Sequence, residues 1–162
     1  MPKVVSNSST IIHLSKINRL DLLQDFFQKI LIPEAVYREC VLEGKDREEV
    51  TLIKNSEWIN VLEVKDKKLV KLLQSTLDDG EAEAIALSLE VSADLILLDE
   101  YDAREKARIL GLQITGLIGI LLRAKLDGKI KILEEEIERL KKTGFYIGDE
   151  LIAKVLKKSK EK

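Results

Sequence analysis

The sequence predicts a three-layer α/β/α fold around a central parallel sheet, and three observations lead there. Short apolar runs such as "VVS", "KILIP" and "EWINVLEV" alternate with stretches whose apolar residues recur every three to four positions. The run "ADLILLD" is continuously apolar, as expected of a strand buried on both faces of a parallel sheet. The chain has 162 residues, 45% of them hydrophobic, with no linker and no internal repeat, which suits one domain over residues 1–162.

Taken in order, Val4-Val5-Ser6 forms the first strand. Ser8 or Ser9 then caps a helix in which Ile11, Ile12, Leu14 and Ile17 follow a 3.6-residue period. "RLDLLQDFF" is a second helical piece and "KILIP" a second short strand. Pro33 falls where a first helical turn tolerates proline, and "PEAVYRECVLEG" runs as a helix to Gly44. "DREEVTLIKNS" is helical with Asp46 near its start, and "EWINVLEV" is the third strand. Asp66 to Leu77 is amphipathic and ends at the turn "DDG". The alanine-rich "EAEAIALSLE" is a strong helix former, and "ADLILLD" follows it as a strand. "EYDAREKARILG" is a helix closed by Gly111, "LQIT" a strand, and "GLIGILLRAKLDG" a helix closed by Gly128. The remainder gives two helices and a basic tail from about residue 157, read as a frayed end. Strands that alternate with helices in this way require crossovers, which are right-handed.

Composition excludes several classes of function. A formal charge of −2 argues against a protein that coats nucleic acid through positive charge alone. It leaves room for an enzyme that grips a phosphodiester through metal ions held by carboxylates. The single cysteine, Cys40, cannot form an internal disulfide and reads as a buried, inert thiol. The single histidine, His13, reads as a packed residue, so zinc is poorly supported. "TGLIG" lacks the lysine of a phosphate-binding loop and reads as a tight strand-to-helix turn. No run reaches the ~18 apolar residues of a membrane span, and the first residues do not form a signal peptide. A cytoplasmic protein with no membrane association is expected.

In open parallel sheets, ligands gather beyond the carboxyl ends of the strands. Asn7 follows the first strand there, and Asp99 ends "LILLD". Glu81 opens the helix after "DDG", where a carboxylate suits the helix dipole. Glu83 lies about 200° around that helix from Glu81, so the two cannot face one site equally well. Glu39 lies on the helix of "PEAVYREC". Each has a plain local reading: Asp99 as a cap, Glu81 as a first-turn acid, Glu39 as a solvated residue, Asn7 as a turn former. Together they make a set of oxygen ligands suited to Mg²⁺ or Mn²⁺. Arg104 and Lys106 follow Asp99 within about two helical turns and read as a solvated face or as phosphate contacts.

The stretches "VVSNSSTIIHLSKINRLDLL", "ILIPEAVYREC", "DDGEAEAIALSLE", "ADLILLDEYDAREKA" and "LQITGLIGILLRAKLDGKI" cover nearly the whole chain. In this order they resemble the PIN-domain family, in particular small prokaryotic, mostly archaeal members described as predicted nucleic-acid-binding proteins. The resemblance implies a PIN-like (Rossmann-like) fold and a Mg²⁺- or Mn²⁺-dependent endoribonuclease, many relatives being the toxin of a toxin–antitoxin pair. It implies RNA as substrate, an antitoxin protein as partner, and a homodimer. It puts the family's acidic positions at Asn7, Glu39, Glu81 (with Glu83 the alternative) and Asp99, and Asp102 beside them. Catalysis would fall to Glu39, Glu81 and Asp99, and Ser9 and Arg104 would meet the nucleic acid. Asn7 departs from the pattern: an amide oxygen can coordinate a cation but brings no charge. A catalytically weak RNA- or partner-binding module on the same fold is the second reading. A phosphoacceptor receiver ranks below both, because "SNSS" offers no acidic pair after the first strand.

Overall fold

The computed structural model describes residues 2–44 and 47–161. Asp46, expected near a helix start, lies outside the described residues. Among these, β1 (Val4–Ser6), β2 (Ile30–Pro33), β3 (Ile59–Leu62), β4 (Leu95–Leu97) and β5 (Ile114–Thr115) form one sheet in the order β3-β2-β1-β4-β5. Every pairing is parallel, with Val5 opposite Leu31 and Val4, Val5 and Ser6 opposite Leu95, Ile96 and Leu97.

Helices cover both faces, and the two-residue period of the strands divides the core between them. Val4, Ile30, Ile32 and Leu97 point to one side. There they meet α1 (Ser8–Lys16), α2 (Asp21–Phe27), α8 (Leu117–Leu126), α9 (Leu133–Lys142) and α10 (Asp149–Lys158). Val5, Leu31, Ile96 and Leu98 point to the other. They pack on α5 (Lys67–Leu73), α6 (Asp79–Glu90) and α7 (Tyr101–Ile109). Between β2 and β3 run α3 (Glu34–Tyr37), a π-helical turn at Arg38–Leu42 that continues it, and α4 (Arg47–Lys54). The three-layer parallel fold is as the sequence predicts.

Three local expectations are corrected. Neither Ser8 nor Ser9 caps α1; Asn7 does, its side chain accepting from the Thr10 N–H. Asparagine is as good a cap as serine, and it stands one residue earlier. The helix from Pro33 does not continue to Gly44, since its last turn widens to π geometry and stops at Leu42. The tail is held in place as far as Glu161. Glu161 accepts from the backbone N–H groups of Leu133 (2.6 Å) and Glu134 (3.1 Å) at the start of α9, and pairs with Lys125 at 3.0 Å. Burial opposes ionisation of Glu161, but these partners outweigh it and lower its pKa. One acid in a basic tail therefore ties down the chain end.

The topology brings chosen helix ends together. The chain leaves β1 toward β2 on one side and returns to β4 on the other, so the switch point lies between β1 and β4. Helices that follow parallel strands start at the carboxyl edge, as α1, α3 and α8 do, and α6 starts close to α3 there.

Candidate functional site

At the switch point, three residues join two strands to two helices. The Asn7 N–H donates to the Leu97 carbonyl at 3.1 Å, and the Asn7 side-chain oxygen accepts from the Thr10 N–H at 3.1 Å. The Thr10 hydroxyl donates to Asp99 Oδ2 at 2.8 Å. Asp99 Oδ1 accepts from the Leu117 N–H, the first residue of α8, at 2.8 Å. Asp99 thus holds the starts of α1 and α8 with one carboxylate. Gly116 permits this approach: a Cβ there would stand 2.8 Å from both Asp99 Oδ1 and Arg104 Nη1. Arg104 Nη1 donates to the Leu98 carbonyl at 3.1 Å.

A second group gathers where α6 starts against the π-helical turn. Glu39 sits on that turn, a distortion that often marks functional positions. Its Oε1 is buried and has no hydrogen-bond partner. A Cβ at Gly80 would overlap the Glu39 carboxylate, so the missing side chain leaves the space the acid fills. Burial raises the Glu39 pKa first, then Asp78, while a hydrogen bond from Ser8 pulls it down. Glu81, only 9% exposed, forms a capping box with Asp78. The Glu81 N–H donates to Asp78 Oδ1 at 2.8 Å, and Glu81 Oε1 accepts from the Asp78 N–H at 3.2 Å. Burial, then Asp78, push its pKa up to about 7, against the Asp78 backbone hydrogen bond, with Glu100 and Glu39 adding to the rise.

The structure separates the two acids left open on α6. Glu83 Oε1 accepts from the Ala35 N–H at 3.2 Å, at the start of α3. Glu81 shares the electrostatic neighbourhood of Glu39. Asp102 is exposed in the first turn of α7, and Ser9 is half-buried on α1. Among the described residues, no three His, Cys, Asp or Glu side chains stand together closely enough to hold a metal ion. His13 is packed as expected, hydrogen-bonded to the Thr143 hydroxyl at 2.8 Å and edge-on to Phe145. Cys40 is buried, and burial pushes its thiol up to about 12, so it is no nucleophile.

Sequence reasoning missed Thr10, Asp78, Gly80 and Gly116. Two had signals. Thr10 stands three residues after Asn7, the capping spacing, and "DDGE" carries a capping box across Asp78 and Glu81. Close approach at Gly80 and Gly116 is a tertiary matter that no local pattern prints.

The family model DUF3368, a PIN domain, matches residues 3–161 of the chain. Curated proteins contain no match to it. No described helix is long and apolar enough to cross a membrane.

Proposed function

The chain belongs to the PIN-domain family, and from that premise we propose that it is a divalent-metal-dependent endoribonuclease. The observation that carries the reading is the buried, unpartnered oxygen of Glu39 beside Glu81 at the carboxyl edge of the sheet. A polar oxygen buried without a partner costs free energy, and burial beside Asp78, which raises the pKa of both carboxyls, adds to that cost. Both costs fall if a cation sits among them. The donors are carboxylate and amide oxygens, the chemistry that Mg²⁺ and Mn²⁺ take. Glu39 and Glu81 would hold the ion; Asp99 and Asn7, at the switch point, do not close a cluster with them in this structure and would join only if the site draws in around the ion.

A bound ion of this kind polarises a phosphate oxygen and lowers the pKa of a coordinated water. The chain's own residues supply the rest. Asp99, fixed by Thr10 and Leu117, sets two carboxylate oxygens at the switch point. Glu81, whose carboxyl is pushed up to about 7 by burial and Asp78 in the metal-free chain, would give up its proton as it takes the ion, so binding should tighten as pH rises. Arg104 offers a guanidinium to a phosphate beside Asp99. The resemblance also supports an antitoxin protein that covers these acids and a homodimer, both on that ground alone.

The second reading, a weak binding module, has a specific observation in its favour. Asn7 gives its side-chain oxygen to a helix cap, and each oxygen of Asp99 already accepts a hydrogen bond. One experiment separates the two. Titration with Mn²⁺ by calorimetry, beside cleavage of a mixed RNA pool, should show binding that Glu39→Gln and Glu81→Gln abolish, and cleavage that depends on it. RNA bound but uncut at saturating Mn²⁺ selects the binding module.

A further inference from the structure

A trough runs from the switch point along β5, one edge of the sheet, and only its end at Asp99 and Arg104 enters the proposed activity. It encloses about 330 Å³ between β5, the start of α8 and the chain around α10, and its lining includes Asp99, Arg104, Gly116, Phe145, Tyr146 and Lys158. A second hollow of about 310 Å³ shares Arg104 and Ile114 with it and adds Arg108. The trough adjoins this second hollow at Arg104 and Ile114.

Its walls carry an unusual combination. Tyr146 is 88% exposed, so burial gives no reason for an aromatic ring there. Its neighbours hold it in position. Phe145 lies edge-on to His13 at 5.1 Å between ring centroids, Thr143 is bonded to the same His13, and Ile147 is buried. The exposed ring is therefore presented from an anchored segment. Arg104 and Lys158 make no ion pair with a carboxylate among the described residues, although acids are 29 of the 162 residues. Two unpaired cations flanking an anchored aromatic ring match a nucleotide, whose base offers a π face and whose phosphates offer charge.

We infer that this trough is a nucleotide subsite in which a base of single-stranded RNA stacks on Tyr146, while Arg104 and Lys158 hold the flanking phosphates. The inference rests on the nuclease reading for its substrate class. Single-stranded RNA fits because its bases can splay onto an aromatic ring, whereas a duplex keeps them stacked inside. The strand would then reach Asp99 from the β5 edge, and the subsite would set which nucleotide lies beside the acids.

The test uses the whole protein and fluorescein-labelled hexaadenylate, followed by anisotropy in EDTA so that binding is read apart from cleavage. Tyr146→Ala should weaken binding by about tenfold, within the roughly 1–3 kcal/mol that stacking of one base contributes. Tyr146→Phe should restore it, and Lys158→Gln should lower the salt dependence by about one ion. A GC-rich RNA hairpin should fail to compete. The ring is exposed, so melting curves should show the variants folded. Wild-type protein that does not bind the hexamer, Tyr146→Ala that binds like wild type, or a hairpin that competes equally would each overturn the subsite. Cleavage by a protein whose RNA binding ignores Tyr146 removes the subsite and leaves the nuclease standing. Binding through Tyr146 without Mn²⁺-dependent cleavage does the reverse.

Discussion

Glu81 makes the metal-free protein sensitive to pH, and the sign follows from its environment. Burial first, then Asp78, raise its pKa from 4.5 to about 7. The folded chain therefore keeps a proton that the unfolded chain releases between those values. Stability from this group is fully present below about pH 4.5 and is lost as pH rises through 7. At about 1.4 kcal/mol per pH unit the ceiling is about 3.5 kcal/mol. Asp78 is exposed and water screens its charge, so we expect roughly 1–2 kcal/mol, or about 2–4 °C in melting temperature for each kcal/mol. Glu39, also shifted upward, acts in the same direction, and His13, shifted downward by burial, opposes it. The informative quantity is thus the difference between wild type and Glu81→Gln, which keeps an acceptor for the Asp78 N–H. Melting in EDTA at about pH 5 and about pH 8 should show wild type losing several degrees more than the variant. Mn²⁺ should flatten the wild-type loss. Parallel curves for the two proteins would refute the electrostatic account of this cluster.

Other substitutions test the remaining parts. Asn7→Asp keeps the cap on α1 and adds a charge near Asp99, so Mn²⁺ should bind roughly tenfold tighter, about 1.4 kcal/mol, by calorimetry. Equal affinity would remove position 7 from the ligand set. Gly80→Ala displaces the flexible end of Glu39, so melting should change by less than about 1 kcal/mol while Mn²⁺ affinity drops. Thr10→Val leaves Asp99 Oδ2 without its donor and should destabilise the protein by about 1–2 kcal/mol in denaturant unfolding. Gly116→Ala presses on the Leu98 carbonyl, Asp99 and Arg104 together, and should cost more than Gly80→Ala by the same measurement.

Most of the fold was legible because periodicity and burial agree. "ADLILLD" gives its strand away, although the strand spans only Leu95–Leu97, Leu98 adds one more bond to the Thr115 carbonyl, and Asp99 lies beyond it. Element ends were harder to read where two neighbours compete for one role, as Asn7 and the serines after it do for the cap. The tail's charge alone reads as a solvated end because its partners are remote in sequence: Glu161 acts on residues some 28 positions away. The candidate site divides in the same way. That Glu81 and Glu83 face different directions follows from helix geometry, but which one turns toward Glu39 depends on where α3 packs, and no spacing carries that.

Asp99 shows why a structural role and a site role need not exclude each other. Its bonds to Thr10 and Leu117 are what a plain cap would make, and they are also what a rigid ligand would need. Each carboxylate oxygen can accept more than one hydrogen bond or coordinate while accepting one. Anchoring by α1 and α8 therefore leaves Asp99 capable of meeting a cation and fixes where it can do so. Asn7 is anchored the same way but has one side-chain oxygen and no charge, so the cap uses much more of what it can offer. On the nuclease reading Asp99 would serve as both cap and ligand, while Asn7 would add at most one neutral oxygen already used by its cap. The sharpest loss of site function should follow from altering Asp99, and the sharpest gain from restoring a charge at position 7.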